Sequence, residues 1–113
     1  MSTDPRHPAP LFTDAFTLCE WLLERLGRDA SILARHICDA ALALLRSLTL
    51  ALKGREREYH VDLADDQLVA LRLYVQLAGT VELLTEAQSL HALGLLDGIG
   101  RQIGGWQRSW LEA

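Results

Sequence analysis

Proline is confined to the start of this chain, at positions 5, 8 and 10. Because proline lacks a backbone N–H and breaks a helix interior, the proline-free residues 11–113 can hold long helices. They are rich in Leu, Ala, Glu and Arg, which favour helix. No segment alternates apolar and polar residues as a half-buried strand does. The sequence therefore predicts an all-α protein, with residues 1–10 as a flexible tail and residues 11–113 as a single domain.

Capping residues and glycines divide this domain into four predicted helices, at about residues 11–26, 30–53, 63–84 and 86–110. Either Asp29 or Ser31 is the N-cap of the second helix, Asp62 that of the third and Thr85 that of the fourth. The charged segment GREREYH, residues 54–60, is predicted to be a connection. Since short connections make successive helices antiparallel, the expected fold is an up-and-down four-helix bundle.

The apolar residues of these helices recur at the spacing of a buried stripe. On the second helix the stripe is Leu33, Ile37, Ala40, Leu44, Leu48 and Ala51. On the fourth it is Ala92, Leu96, Ile99, Ile103, Trp106 and Trp110. The third helix has one stripe at Ala64, Leu68, Leu71, Val75 and Ala78, and another at Leu73, Leu77, Val81 and Leu84. A bundle helix needs one buried stripe, so the second predicts a subunit interface, with a wide core contact as the alternative.

The composition restricts the class of protein. The net charge is −4 and the pI is about 5.5, which is not typical of a nucleic-acid-binding domain. The start of the chain has no apolar signal segment, and the most apolar stretch, residues 40–52, is too short to cross a bilayer. We therefore expect a cytoplasmic protein without a membrane partner.

Residue types that carry out catalysis or hold metals are not grouped in the sequence. The four histidines are scattered, and the paired Glu-x-x-His ligands of di-iron bundles are absent. No serine lies in a nucleophile elbow. The segment GIGRQIGG lacks the preceding strand of a phosphate-binding loop. We expect no enzymatic activity, no metal, no cofactor and no small-molecule substrate.

Positive charge is concentrated in the first half of the domain. Residues 25–57 contain seven cations and three acids, whereas residues 62–113 contain three cations and seven acids. On the second helix, Arg35, Arg46 and Lys53 lie within about 20° of one another around the axis. This stripe is either a solvated outer face or a site for phosphates or an acidic partner. The candidate binding residues are Arg25, Arg28, Arg35, Arg46, Lys53, Arg55 and Arg57.

The fourth predicted helix contains many glycines. Gly94, Gly98 and Gly105 share the face opposite Trp106, beside Arg101. Each glycine destabilises a helix interior by roughly 0.5–1 kcal/mol relative to alanine. A bare backbone face allows another helix to approach closely, and a frayed last turn is the alternative. We favour close packing.

One C-terminal segment resembles a known family. LDGIGRQIGGWQRS, residues 96–109, closely resembles the closing motif of the accessory variability determinant (Avd) proteins, which accompany reverse transcriptases in diversity-generating retroelements. Three upstream segments fit the family in the same order, CEWLLERL at 19–26, DAALALLRSLTLA at 39–51 and LADDQLVALRLYVQLAG at 63–79. Four-helix proteins encoded in ribosomal RNA intervening sequences are related to this family.

The resemblance implies a four-helix bundle that assembles into a ring-like homopentamer. Such proteins are not catalytic, and they bind the reverse transcriptase of the retroelement and its RNA or cDNA. The positions matching the family motif are Arg101, Gly104, Gly105 and Trp106. The resemblance implies that Trp106 is a core or interface anchor and that the two glycines make room beside it.

The chain departs from the usual pattern of the family in its charge. Avd proteins are usually basic, whereas this chain is acidic, and the junction of the first two helices reads GRDASILARHI instead of a basic run. Gly98 stands where the family commonly has an acid. Two hypotheses follow: an Avd-like accessory protein that binds a reverse transcriptase and nucleic acid, or an interaction bundle of the same fold that does not bind nucleic acid.

Overall fold

A computed structural model of the chain describes residues 9–111, apart from the side chains of residues 9, 110 and 111. The four helices are α1 (Ala9–Leu26), α2 (Ile32–Leu52), α3 (Arg57–Thr80) and α4 (Glu86–Leu111). Residues 9–111 contain no strand. The predicted all-α class and the number of helices are therefore confirmed.

The helices occupy the corners of a square. Each packs against two neighbours, α1 on α2, α2 on α3, α3 on α4 and α4 on α1, while the diagonal pairs make no close backbone contact within the described residues. The α2–α3 contact is the most extensive and the α1–α4 contact the least. Ser47 Oγ on α2 donates to Gln67 Oε1 on α3 at 3.0 Å, and Cys19 Sγ on α1 donates to the Ala41 carbonyl on α2 at 3.1 Å.

The core is built from the predicted stripes. The buried residues of α2 include Ile37, Leu44, Leu48 and Ala51, while Leu33 and Ala40 are half-buried at its edge. All five residues of the first α3 stripe are buried, as are the α4 residues from Ala92 to Trp106 that were predicted to face inward. The orientation of Trp110 lies outside the described part of the chain. Burial of these side chains is the main favourable contribution to stability.

Side-chain caps begin α2 and α4 as predicted. Ser31, not Asp29, is the N-cap of α2, and its hydroxyl accepts from the Ala34 N–H at 3.2 Å. The Asp29 carboxylate instead accepts from the Ser31 backbone N–H at 2.8 Å, which lowers the pKa of Asp29. At α4, Thr85 Oγ1 accepts from the Gln88 N–H and Gln88 Oε1 accepts from the Thr85 N–H, a reciprocal capping box.

The predicted limits of α3 were wrong at both ends. The helix begins at Arg57, so Asp62 is not its cap and half of the GREREYH segment is helical. Gly54 and Glu56 adopt positive φ angles of 78° and 42°, which make a tight turn between α2 and α3. The helix can therefore begin directly after this turn, at Arg57 and Glu58, two residue types that favour helix. At the other end α3 stops at Thr80, four residues earlier than predicted.

The start of α1 also differs from the prediction. The helix begins at Ala9 and includes Pro10, because proline is tolerated in the first turn, where its missing N–H has no helical partner. Residues 1–8 of the predicted tail lie outside the described residues. No helix within residues 9–111 is both long and apolar enough to cross a membrane.

Candidate interaction surfaces

The outer face of α2 carries the predicted basic stripe. Arg35, Arg46 and Lys53 are all exposed on it. Arg28 precedes α2 at one end of the bundle, and Arg55 follows α2 at the other; both are exposed. Within the described residues, no ion pair with an acid engages any of these five side chains. We call Arg35, Arg46 and Lys53 the basic face; it runs along the length of α2.

Two of the predicted binding residues have intramolecular partners. The Arg25 guanidinium lies 4.0 Å from the centre of the Trp21 ring and donates to the Trp21 carbonyl at 3.2 Å. It also lies 3.9 Å from the Glu24 carboxylate. The Arg57 guanidinium lies 5.8 Å from the centre of the Trp106 ring. These contacts anchor both side chains on the bundle.

The outer face of α3 is mainly apolar in its C-terminal half. Leu73 is 61% exposed and Leu77 47% exposed, and Val81, the C-cap residue of α3, is 58% exposed. The fourth residue of the predicted interface was assigned wrongly. Leu84 is 2% exposed and lies after the end of α3, where the chain turns into α4 and brings this side chain into the core. Its place in the outer stripe assumed that α3 continued to residue 84.

Sequence reasoning missed further exposed apolar side chains, on α1 and on α2. Phe12, Phe16 and Leu23 on α1 are between 36% and 47% exposed, and the Phe12 and Phe16 ring centres lie 6.0 Å apart. Leu42, 46% exposed, lies on α2 at the helical spacing of the basic face. The signal was present as the 12, 16, 23 spacing on α1.

The motif residues of α4 divide between the core and the surface. Trp106 is 7% exposed, so it is a core residue of the bundle. Arg101 is exposed. A Cβ added at Gly104 would meet the Arg108 guanidinium at 3.4 Å, so Arg108 lies beside this glycine. That the two glycines make room beside Trp106 stays a prediction. A Cβ at Gly105 would also lie near the Arg108 guanidinium, at 3.8 Å.

The buried polar groups do not form a reactive cluster. Burial raises the pKa of the Cys19 thiol to about 11, with a smaller contribution from the charge of Cys38, and burial also raises the pKa of Cys38. Both thiols are buried and free. His60 is 8% exposed, and its Nδ1 has no hydrogen-bond partner. Among residues 9–111 there is no group of three His, Cys, Asp or Glu side chains that could hold a metal ion.

A comparison with known protein families identifies the family of this chain. A family model described as bAvd-like matches residues 17–110, which extend from α1 to the end of the closing motif. The chain belongs to the bAvd-like family. This match confirms the resemblance drawn from the closing motif and the three upstream segments. Comparisons with curated proteins and with solved structures found no match.

Membership in the bAvd-like family indicates the general role of the chain. This family indicates an accessory protein that works with a partner protein. In this bAvd-like chain, the exposed basic face of α2 and the exposed apolar face of α3 are the two surfaces that offer different chemistry to a partner.

Proposed function

We propose that the chain is a non-catalytic accessory protein of a diversity-generating retroelement that binds its reverse transcriptase and its RNA or cDNA. In this proposal it acts in the cytoplasm as a ring-like homopentamer, and the assembly presents several copies of the basic face to its partners. Repeating a charged surface by symmetry raises the local potential beyond that of one copy.

The basic face is the observation that carries this proposal. A chain with a net charge of −4 keeps Arg35, Arg46 and Lys53 exposed on one side of one helix, without acidic partners among the described residues. Arginine side chains bind phosphate and carboxylate groups in a bidentate manner, so this face suits a phosphate backbone or an acidic protein surface.

The apolar face of α3 supports self-association. Exposed leucines at helical spacing are costly for an isolated subunit, because burying each such side chain would contribute roughly 1.5–3 kcal/mol. Leu73 and Leu77, with Val81 after them, therefore favour contact with another chain. This stripe and the basic face lie on different helices, so one surface can assemble the subunits while the other binds partners.

A charge-reversal variant tests the role of the basic face. We expect Arg35→Glu with Arg46→Glu to abolish binding of the reverse transcriptase and its template RNA, measured with the purified partners. Helicity by circular dichroism and subunit number by light scattering should not change, since both side chains are exposed. The matched control, Arg35→Lys with Arg46→Lys, keeps the charge and should retain most of the binding. Normal binding by the glutamate variant would remove this face from the mechanism.

The net acidic charge favours a second candidate, an interaction bundle that binds protein without nucleic acid. A salt titration separates the two candidates. If the chain contacts phosphates, the logarithm of the RNA-binding constant falls steeply with the logarithm of the salt concentration, because binding releases counterions. If partner binding is apolar, the affinity changes little over the same range, and no RNA is retained at any salt concentration.

A further inference from the structure

Three glycines of α4 leave room for a side chain among the described residues of the subunit. A Cβ at Gly94 would meet nothing within 4 Å, and at Gly98 and Gly105 the nearest atoms are arginine side-chain tips at 3.8 Å. In contrast, a Cβ at Gly79 would lie 2.8 Å from Ser89 Oγ, where α3 and α4 cross closely. Since glycine destabilises a helix interior relative to alanine, the three open positions call for an explanation outside the subunit.

These glycines lie on the outward side of α4. At about 100° per residue, Gly94, Gly98 and Gly105 fall on the side opposite the buried residues, together with Arg101 and Arg108. Both arginines are exposed, and neither has an acidic partner within residues 9–111. We call this bare strip of backbone with its two cations the α4 groove.

The outward side of α3 has the complementary shape and charge. Val69, Leu73 and Leu77 project from its C-terminal half and are between 47% and 67% exposed. Asp62 and Asp66 share the same side in its N-terminal half and are also exposed. We call these five residues the α3 ridge: bulky apolar groups at one end and carboxylates at the other.

The packing of α3 on α4 fixes which residues lie at the same height along the bundle. Gly100 lies against Leu68, its Cβ position 3.2 Å from Leu68 Cδ2. Because the two helices are antiparallel, Asp66 lies level with residue 102, beside Arg101. By the same count, Leu73 lies level with residue 95, beside Gly94.

We propose that the α3 ridge of one copy seats in the α4 groove of the next copy of this chain. A ring whose axis runs along the bundle keeps every residue at its own height, so Asp66 of one copy meets Arg101 of the next. Leu73 then meets the bare backbone around Gly94. This inference rests on the proposed assembly and adds the two faces that form it.

The position of the two faces on the bundle suits a closed ring. The ridge and the groove lie on different helices, with Val69 and Arg101 at the borders of the cleft between α3 and α4. A contact between different surfaces repeats head to tail, and it forms a closed ring where the rotation from copy to copy closes. Because α3 and α4 are adjacent corners of the square, their outward sides differ by roughly a right angle, which closes a ring of roughly four or five copies. The α3–α4 side faces the ring axis, and the basic face of α2 remains on the outside.

A charge swap tests the contact directly. Asp66→Arg and Arg101→Asp each place like charges at every junction of the ring. Each should raise the concentration of half-dissociation by about tenfold or more, measured by native mass spectrometry on dilution. The double variant restores opposite charges and should return assembly close to that of the unaltered chain. A double variant as dissociated as the two single variants, or single variants that assemble normally, would overturn the contact.

Two controls separate this inference from the proposed function. Arg35→Glu on the basic face of α2 should leave assembly intact. If the unaltered chain assembles and the double variant assembles no better than the two single variants, the ridge-and-groove contact is wrong, while self-assembly through another surface stands. If the unaltered chain is a monomer, the proposed assembly itself fails.

Alanine at the open glycines gives an independent test, because it should stabilise the single subunit and weaken its assembly. Gly94→Ala with Gly98→Ala should raise the melting temperature of the dissociated chain, since alanine favours helix, and at the same time weaken assembly by filling the groove. Gly100→Ala is the matched control in the same helix: its Cβ meets Leu68 inside the subunit and leaves the groove open, so assembly should not change. Unchanged assembly in the double alanine variant would contradict the contact.

Discussion

The outer faces of α2 and α3 belong to neighbouring helices, yet they present opposite chemistry. The α2 face carries Arg35 and Arg46, with exposed Asp39 and Leu42 between them, and Lys53 follows as the C-cap residue. The α3 face carries Leu73 and Leu77 in its second half and carboxylates in its first half. A bundle that needed only to be stable would cover both faces with mixed charges. We infer two separate contacts, one through the cations of α2 and one through the apolar and acidic side chains of α3.

Removing a large core side chain should have the largest effect, because it destabilises the bundle that carries both faces. Trp106 is buried at the end of the bundle where α3 begins, with Arg57 beside its ring. We expect Trp106→Ala to reduce the free energy of unfolding by about 3–5 kcal/mol, because it leaves a large cavity. Urea denaturation at a fixed protein concentration measures this. The control is Trp21→Ala, which should reduce the free energy of unfolding less, because Trp21 is half-buried. If Trp106→Ala reduced it by only a few tenths of a kcal/mol, the Trp106 ring would lie at the surface.

A pair of leucine variants should distinguish the roles of the two faces in assembly. Leu73→Asp on α3 should weaken assembly by about tenfold to a hundredfold, since it puts a charge in an apolar contact worth roughly 1.5–3 kcal/mol per leucine. Leu42→Asp makes the same change on the α2 face, where Leu42 is 46% exposed against 61% for Leu73, and should leave assembly unchanged. Size-exclusion chromatography with light scattering over a dilution series compares them. Equal loss in both variants would show that the α3 face is not distinct.

The hydrogen bond that joins the two helices should matter less than either face. Ser47 on α2 is buried and its hydroxyl donates to Gln67 on α3. We expect Ser47→Ala to lower the free energy of unfolding by about 1 kcal/mol while assembly and RNA binding persist. Thr80→Ala, at an exposed hydroxyl near the end of α3, is the control and should change stability little. If Ser47→Ala abolished assembly or RNA binding, the two faces would be coupled through this hydrogen bond.

Thiol labelling should give the smallest effect and verify that the surface variants stay folded. Because burial raises the pKa of Cys19 to about 11, its thiolate fraction at neutral pH is minute. Leu73→Asp and Arg35→Glu should leave labelling by a maleimide as slow as in the unaltered chain, and Trp106→Ala should accelerate it. Fast labelling of the Leu73 variant would mean that it acts by unfolding the bundle, not by exposing an interface.

The fold was largely predictable because its signals are local. Ser31 and Thr85 carry caps that can be identified from residue type, and the buried stripes follow the helical period. The end of α3 gave no such signal: the helix stops at Thr80 without a proline after it, and the period alone carried Leu84 into the outer stripe. The start of α3 depends on the left-handed conformation of Glu56, which residue type does not indicate.

The surfaces were less predictable than the helices. Charge counting identified the basic face of α2 but did not identify the partners of Arg25 and Arg57. Trp21 lies four residues before Arg25 on α1, at a spacing visible in the sequence, whereas the contact of Arg57 with Trp106 joins α3 to α4 and depends on the fold. The glycines of α4 were visible in the sequence. Which of them have room for a Cβ depends on the packing of α3 against α4, as the contact of Gly100 with Leu68 illustrates.

Native mass spectrometry of the purified protein at low concentration tests the account most directly. In the proposed assembly, identical chains cover the apolar side chains that the bundle leaves exposed on α3, so we expect the spectrum to show one closed assembly of five copies. RNA carried on the basic face would add its mass to that same species. A well-folded single subunit that persists on dilution, with no larger species at any concentration, would contradict the account.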